Sequence, residues 1–337
     1  MSLGVTCVIC CHNSASRLPE TLRHLAAQKV GAGLEWDVLI VDNASTDDTA
    51  AAAKAAWNGP ADVPFQVLHE AKPGLTNARL CAFAHARHEV ISFIDDDNWV
   101  CDNWVQTVAE IFAQHPEVAI SGGTNLATAD TPIPAWFEEH KRFYAVTHGD
   151  FPEGVLQGTG RMLPGAGLSL RKSAVNDLLN KGFSFTLAGR AGKAMSAGED
   201  QELGLALQLA GWKVWYSPRI QLQHFMPAGR LTWNYLKRML RGIGESSVLI
   251  DPYLFTFEQR TGHPISAYKQ GWLWRTFASL KDYFTHLLKA LPAMKEGNPH
   301  LIYAERARGR VSMLLRMRGD YTKRFQEVAS AGWLAKS

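Results

Sequence analysis

The sequence predicts an α/β protein, a mostly parallel sheet flanked by helices and followed by a helical C-terminal region. Over residues 5–123, short runs rich in Val, Ile and aromatic residues alternate with helix-like segments, which is the pattern of βαβ units and of a sheet covered on both faces. Two acidic motifs stand where such strands end, at Asp42 and at Asp95-Asp96-Asp97. Beyond Pro227 the apolar spacing turns helical and stays so.

In order, "VTCVICC" (5–11) reads as a strand and "ASRLPETLRHLAAQ" (15–28) as a helix. "WDVLIVD" (36–42) precedes the helical "STDDTAAAAKAAW" (45–57), and "FQVLHE" (65–70) precedes "GLTNARLCAFAHAR" (74–87). "EVISFID" (89–95) leads to "DNWVQTVAEIFAQH" (102–115), and "EVAISGG" (117–123) closes the series. Residues 124–170 carry Pro, Gly and aromatics and read as insertions over one rim of the sheet. Helices are expected near Arg171 and Glu199, then a strand at "KVWYSP" (213–218). "LTWNYLKRMLRGIG", "WLWRTFASLKDYFTHLLKAL" and "IYAERARGRVSMLLRMR" are the C-terminal helices. The expected division is a catalytic domain over 1–225 and a basic helical region over 226–337.

A chain of 337 residues can bury a large core. No apolar run approaches the ~18 residues of a membrane span, and the first strand begins too early for a secretory leader. Five cysteines without framework spacing point to a reduced, cytoplasmic setting. Cys7 and Cys10 form a C-x-x-C, but residues three apart on a strand face opposite sides. From Arg230 onward there are 18 lysines and arginines against 8 acids, so that third is near +10 and the rest near −7. A solvated helical surface explains this, and so does a basic face on anionic lipid at the cytoplasmic side of a membrane or on a phosphorylated acceptor. No nucleic-acid partner is expected.

Ligands of open α/β sheets bind beyond the carboxyl ends of the parallel strands. The first strand ends in Cys11-His12-Asn13, the second in Asp42-Asn43 and the fourth in the aspartate triplet. Two carboxylates roughly 6 Å apart repel by about 3 kcal/mol at an effective dielectric near 20, so the triplet needs a counter-charge. Extended geometry would place Asp95 and Asp97 on one side about 7 Å apart, with Asp96 pointing away to cap the next helix. Such oxygen ligands suit Mn²⁺ or Mg²⁺ holding a substrate diphosphate. There is no Walker loop and no G-x-G-x-x-G after a strand, which argues against an ATPase or a Rossmann dehydrogenase.

"VICCHN", "LIVDNASTDDT", "KPGLTNARL", "ISFIDDDNWV" and "AGEDQELGLALQLAGW", in that order, resemble the family 2 glycosyltransferases of GT-A fold over about residues 5–225. The resemblance implies transfer of a sugar from a nucleotide-diphosphate donor to a glycan or lipid-linked saccharide, with inversion at the anomeric carbon. It implies that Asp42 bonds the donor base while His12 and Asn13 line the nucleotide pocket. Asp95 and Asp97 match the D-x-D motif as metal ligands, Asp95 also as a ribose or donor-sugar contact, and Asp96 falls among the donor-side residues. Arg79 matches the arginine of G-x-x-x-A-R, near base or phosphate. Two departures stand out: Lys72 where the family often has Asn, offering a cation to phosphate, and Leu80 in place of a second Asn.

In "GED" (198–200) the resemblance makes Asp200 the general base and Glu199 its neighbour in acceptor binding; a helix N-terminus also favours acids. His224 is a further metal-ligand or diphosphate candidate, and Arg230 and Trp233, spaced R-x-x-W, resemble a diphosphate- and acceptor-side motif. Gly165 and Gly167 in "LPGAGLSLRKSA" suit close approach of backbone to an acceptor sugar. Trp99, Trp104 and Trp136 are candidates for stacking on sugars or for the core. A phosphohydrolase would want Thr or Val at the position of Trp99, and a nucleotidyltransferase a glycine-rich basic loop after the first strand. A catalytically inactive sugar-nucleotide binder or membrane-peripheral scaffold is the non-enzyme alternative.

Overall fold

The computed structural model describes residues 3–147, 151–156, 163–187, 198–262 and 265–335. Its elements are β1 (Val5–Cys11), α1 (Leu18–Ala26), β2 (Trp36–Asn43), α2 (Thr49–Ala56), β3 (Phe65–Glu70), α3 (Leu75–His85), β4 (Val90–Phe93), β5 (Asn98–Val100), α4 (Trp104–Gln114) and β6 (Val118–Thr128). α5 (Phe137–His140), β7 (Gly154–Val155), β8 (Ser169–Arg171), α6 (Lys172–Asn180), α7 (Glu199–Leu209) and β9 (Lys213–Phe225) follow. The C-terminal third holds α8 (Trp233–Arg260), α9 (Ala267–Gln270), α10 (Trp272–Ala290), α11 (Pro299–Arg316) and α12 (Tyr321–Ala329).

The strands form one sheet in the order β3-β2-β1-β4-β8-β6-β9-β5, with β7 also on β9. β1 to β4 are parallel neighbours, and so are β6 and β9; β8, β5 and β7 pair antiparallel. Side-chain alternation splits the core in two. Val5, Cys7, Ile9 and Cys11 of β1 face α1 and α4, while Val8 joins Leu39, Phe93 and the residues of α3, α6 and α7 on the other face. Cys10 packs on that second face and Cys7 on the first, so the C-x-x-C holds no pair. All five thiols are free.

The C-terminal region shares the second core, to which α8 and α12 contribute Ile250, Tyr253 and Val328 and the turn after α12 contributes Trp333. α8 starts at the Thr232 cap, whose hydroxyl accepts from Tyr235 N at 3.2 Å. It continues past Gly244 and through Pro252, well beyond the segment read from sequence, because buried Val248, Ile250 and Tyr253 keep it packed. α8 and α11 cross with backbone nearly touching. A Cβ on Gly244 would fall 2.0 Å from Arg306 O, and one on Gly309 would fall 2.0 Å from Arg241 O. Buried Asp251 of α8 binds Arg310 of α11 at 2.6 Å and Tyr321 of α12 at 3.1 Å. Among the described residues no helix is long and apolar enough to cross a membrane.

Candidate active site

Strand order reverses between β1 and β4, since β2 and β3 build outward on one side of β1 and β4 on the other. The crevice at that switch point is where an α/β sheet takes its ligand. The loops after β1 and β2 close one flank by bonding to each other. His12 Nδ1 lies 2.8 Å from Asn43 O, Asn13 Oδ1 accepts from Thr46 N at 2.8 Å, and Ser14 N donates to Thr49 Oγ1 at 2.8 Å. Asn13 and Ala44 adopt left-handed φ of 51° and 52° to make these turns. His12 and Asn13 are thus exposed at the loop surface, with the Asn13 carbonyl already engaged.

The aspartate triplet departs from the extended geometry expected for it. β4 stops at Phe93, and the chain turns at Asp96 and Asp97, with Asn98 N bonded to Asp95 O at 3.0 Å. The turn, not strand pleat, spreads the three carboxylates. Asp96 does not cap the next helix either, because β5 intervenes before α4. It accepts from Ser14 Oγ and from Arg17 at 2.6 Å, at the foot of α1. Asp97 is buried with Arg230 Nη1 at 2.8 Å and His224 Nε2 at 3.4 Å. Burial pushes its carboxyl up, but His224, Arg230 and Arg17 more than offset this and hold it well below the usual range. Asp95 has no hydrogen bond or ion pair from its side chain among the described residues. Burial, and after it the Asp97 charge, push it up to about 6.

Across the crevice, Arg79 of α3 joins the acidic turn to the N-terminus of α7. Its guanidinium is buried over the Phe93 ring, with Glu199 Oε1 at 3.4 Å. Burial pulls Arg79 down, yet Glu199, Asp200 and Asp95 together hold it above its ordinary value. Glu199 is buried against this arginine, whereas Asp200 is half-buried and, among the described residues, accepts from Gln201 N at 2.8 Å. Asp200 and Arg79 line one small cavity with Leu168 and Leu203. Asp200 sits directly over Gly165, where a Cβ would lie 2.2 Å from Oδ2. Gly165 is therefore part of the Asp200 site. Gly167 is not: it has φ +75°, and a Cβ there would strike Leu222 and buried Trp104.

The other candidates lie at the rim. Asp42 is buried at the end of β2, 3.3 Å from Ser45 N and 3.7 Å from His69 Nδ1. Lys72 is exposed in the loop before α3. Trp233 is buried against Trp136, with ring centroids 5.4 Å apart, in a cluster that walls the Arg230 turn. Trp99 stacks between His24 and Phe225.

Three positioning residues were not singled out from sequence. Asn43 clamps the β3–α3 loop through Lys72 O at 2.7 Å and Gly74 N at 2.8 Å. Arg17 neutralises Asp96. Glu202, fully buried, accepts from Thr186 N, Leu187 N and Tyr253 Oη and so fastens α7 to α8. A carboxylate on the inner face of a helix was the available signal for Glu202.

Both buried oxygens of Asp97 lack a well-formed hydrogen bond, Asp95 is unpaired, and His224 Nε2 is adjacent. Two carboxylates and an imidazole fit Mn²⁺ or Mg²⁺. Among the described residues no three His, Cys, Asp or Glu side chains converge closely enough to hold an ion unaided. The fit is to an ion completed by water and a substrate diphosphate.

Residues 6–179, just over half the chain, match the family model for glycosyl transferase family 2. The succinoglycan biosynthesis protein ExoM of Rhizobium meliloti (strain 1021) is 26% identical over 240 residues, covering 69% of this chain and 71% of that protein. An undecaprenyl-phosphate 4-deoxy-4-formamido-L-arabinose transferase of Sodalis glossinidius (strain morsitans) is 28% identical over 114 residues, 34% of this chain and 35% of that one. Among solved structures, S. aureus TarS 1–349 in complex with UDP-GlcNAc superposes at a TM-score of 0.51 with 16% identity, covering 94% of this chain and 92% of that one. TarS 1–349 without a named ligand gives 0.50 and 15%, over 97% and 90%. At such identity the likeness speaks for the fold alone, which is the GT-A arrangement.

Proposed function

The chain belongs to glycosyl transferase family 2 and is a glycosyltransferase, and on that premise we propose that it moves a sugar from a nucleotide-diphosphate donor to an acceptor hydroxyl with inversion. The acceptor is a glycan or a lipid-linked saccharide in polysaccharide biosynthesis. The printed names of the relatives, succinoglycan biosynthesis and undecaprenyl phosphate, support that class, and the UDP-GlcNAc complex of TarS supports the donor class.

One observation carries the reading: Asp200 is held over a glycine on one side of the crevice, and an unpaired Asp95 beside Asp97, His224 and Arg230 lies on the other, with Arg79 between them. Asp200 takes the proton of the acceptor hydroxyl as its oxygen attacks the anomeric carbon from the face opposite the leaving diphosphate. Glu199 and Arg79, buried against each other, fix the first turn of α7 so that Asp200 keeps its aim. Arg230 and His224 border the diphosphate position and bring positive charge to it. Asp42 and the loop of His12 and Asn13 border the nucleoside, with Lys72 at its rim. Asp95, Asp97 and His224 would hold a divalent cation, which when bound offsets charge on the departing diphosphate.

A thermal-shift screen of UDP-, GDP-, CMP- and dTDP-sugars with and without Mn²⁺ tests the donor. Ligand at about 100 Kd stabilises by roughly 2.7 kcal/mol. The donor that shifts the protein should be turned over, and turnover should be lost in Asp200→Asn while its binding persists. Absence of any shift in the presence of metal refutes the reading.

A further inference from the structure

An amphipathic helix in a globular protein turns its apolar stripe inward. α10 turns it outward. Leu273, Phe277, Leu280, Phe284, Leu288 and, just past its end, Leu291 recur every three or four residues, forming a row about 27 Å long at ~1.5 Å per residue. All six are exposed, by 38% to 76%. The inward face carries one large apolar group, Trp272, packed on Val248, Leu314 and Tyr321 with its Nε1 donating to Leu314 O at 2.6 Å, and is otherwise small and polar. Ser279 and Ala290 are buried, Arg275 reaches Asp251 at 3.6 Å, and His286 Nδ1 meets His300 Nδ1 of α11 at 3.0 Å.

The borders of the stripe are basic and aromatic. Lys281 borders it, Lys289 stands about a quarter-turn further round from Leu288, Lys269 and Lys295 lie beyond its ends, and all four are exposed and outside any ion pair among the described residues. Asp282 is the one acid of α10. Tyr268 and Trp274 stand exposed at its N-terminal end, edge to face with centroids 5.4 Å apart.

We propose that this face of α10 docks the protein on a membrane surface containing anionic lipid. Charge complementarity selects the occupant. A second copy laid on the same face would set lysine against lysine along the seam with almost no acid to answer it. Anionic head groups neutralise those lysines, whose stems extend over the apolar row, while Leu and Phe enter the boundary with the acyl chains. Tyr268 and Trp274 suit the same interface.

A chain of contacts joins the segment after α10 to the Arg230 turn. Glu296, in the segment after α10, accepts from Trp136 Nε1 at 2.7 Å, and Trp136 packs on Trp233 three residues from Arg230. The inference rests on the surface of α10 and not on the transferase reading.

The test is co-sedimentation of the full chain with phosphatidylcholine vesicles, with and without phosphatidylglycerol. Binding should require phosphatidylglycerol, weaken with salt, and fall by about tenfold or more in Lys281→Glu/Lys289→Glu. Phe277→Ser/Phe284→Ser should abolish it without lowering Tm, because both rings are already exposed. Asp200→Asn should bind as wild type, so failure of catalysis and failure of docking are read separately. Binding indifferent to phosphatidylglycerol overturns the proposal. So does an unbound protein that is instead a dimer dispersed by Phe277→Ser/Phe284→Ser.

Discussion

Gly165→Ala is the sharpest perturbation the site offers. The added methyl would lie 2.2 Å from Asp200 Oδ2 and 2.8 Å from its Cγ. Ordinary contact begins near 3.4 Å, so the carboxylate has to retreat by more than 1 Å. A general base contributes about 10²–10⁴-fold, and a misplacement of about 1 Å costs on the order of 10²-fold. We expect kcat to fall about 10²-fold while KM for the donor stays within about twofold, because the atoms nearest a Cβ on Gly165 all belong to Asp200. The assay is steady-state release of nucleoside diphosphate from the donor identified by thermal shift, beside a melting curve showing the variant folded. Gly165→Ala in an Asp200→Asn background should lose little more, since both changes act on one carboxylate. A folded single variant with wild-type kcat, or a double variant that loses a further 10²-fold, would refute Asp200 as the base.

Three further outcomes follow from the charges and contacts of the site and of the helix crossing. Asp95 is raised from 3.8 to about 6, so its protonated form is the one the fold prefers; that stability is complete below about pH 3.8 and is lost as pH rises through about 6. Metal-free Asp95→Asn, which keeps the neutral shape, should be more stable than wild type at pH 7.5 by up to about 3 kcal/mol, or about 4 °C in Tm for a chain of this length. The gap should close by about pH 4 in thermal melts, and a gap independent of pH would contradict the assignment. Arg230→Ala leaves buried Asp97 without the guanidinium 2.8 Å away and should destabilise by about 3 kcal/mol. Mn²⁺ should recover part of that loss, so its Tm shift should exceed that of wild type; equal shifts would argue that Asp97 does not face the metal. Gly309→Ala places a methyl 2.0 Å from Arg241 O and should cost about 1–3 kcal/mol by overpacking, read as a fall in Tm with the urea m-value unchanged. An unshifted melt would mean that α8 and α11 do not cross here.

Local chemistry explains why much of the molecule could be read early. β1, β2 and β3 and their helices lie close to where apolar periodicity put them, because strands buried on both faces and amphipathic helices write their period into the chain. The strand-end rule likewise brought His12, Asp42 and Asp95 to one rim. The exceptions share a cause. The pleat of β4 breaks at Ile94, so the triplet is spread by a turn whose shape depends on Arg17, His224 and Arg230, which lie 79, 127 and 133 positions from the aspartates they meet. Gly165 and Gly167 look alike in sequence, yet one faces a carboxylate and the other Leu222 and Trp104.

By itself the sequence determined the α/β class, the acidic strand end and the acid pair opening α7, since each is a matter of neighbours a few positions apart. Tertiary structure alone decided which of these acids meet an arginine among the described residues. Glu199 and Asp97 meet Arg79 and Arg230 from distant segments, while Asp95 and Asp200 do not. It also decided that the apolar row of α10 faces outward, because α11 and Asp251 claim the polar face of that helix instead. Periodicity shows that a helix has two faces; only packing settles which of them the rest of the chain covers.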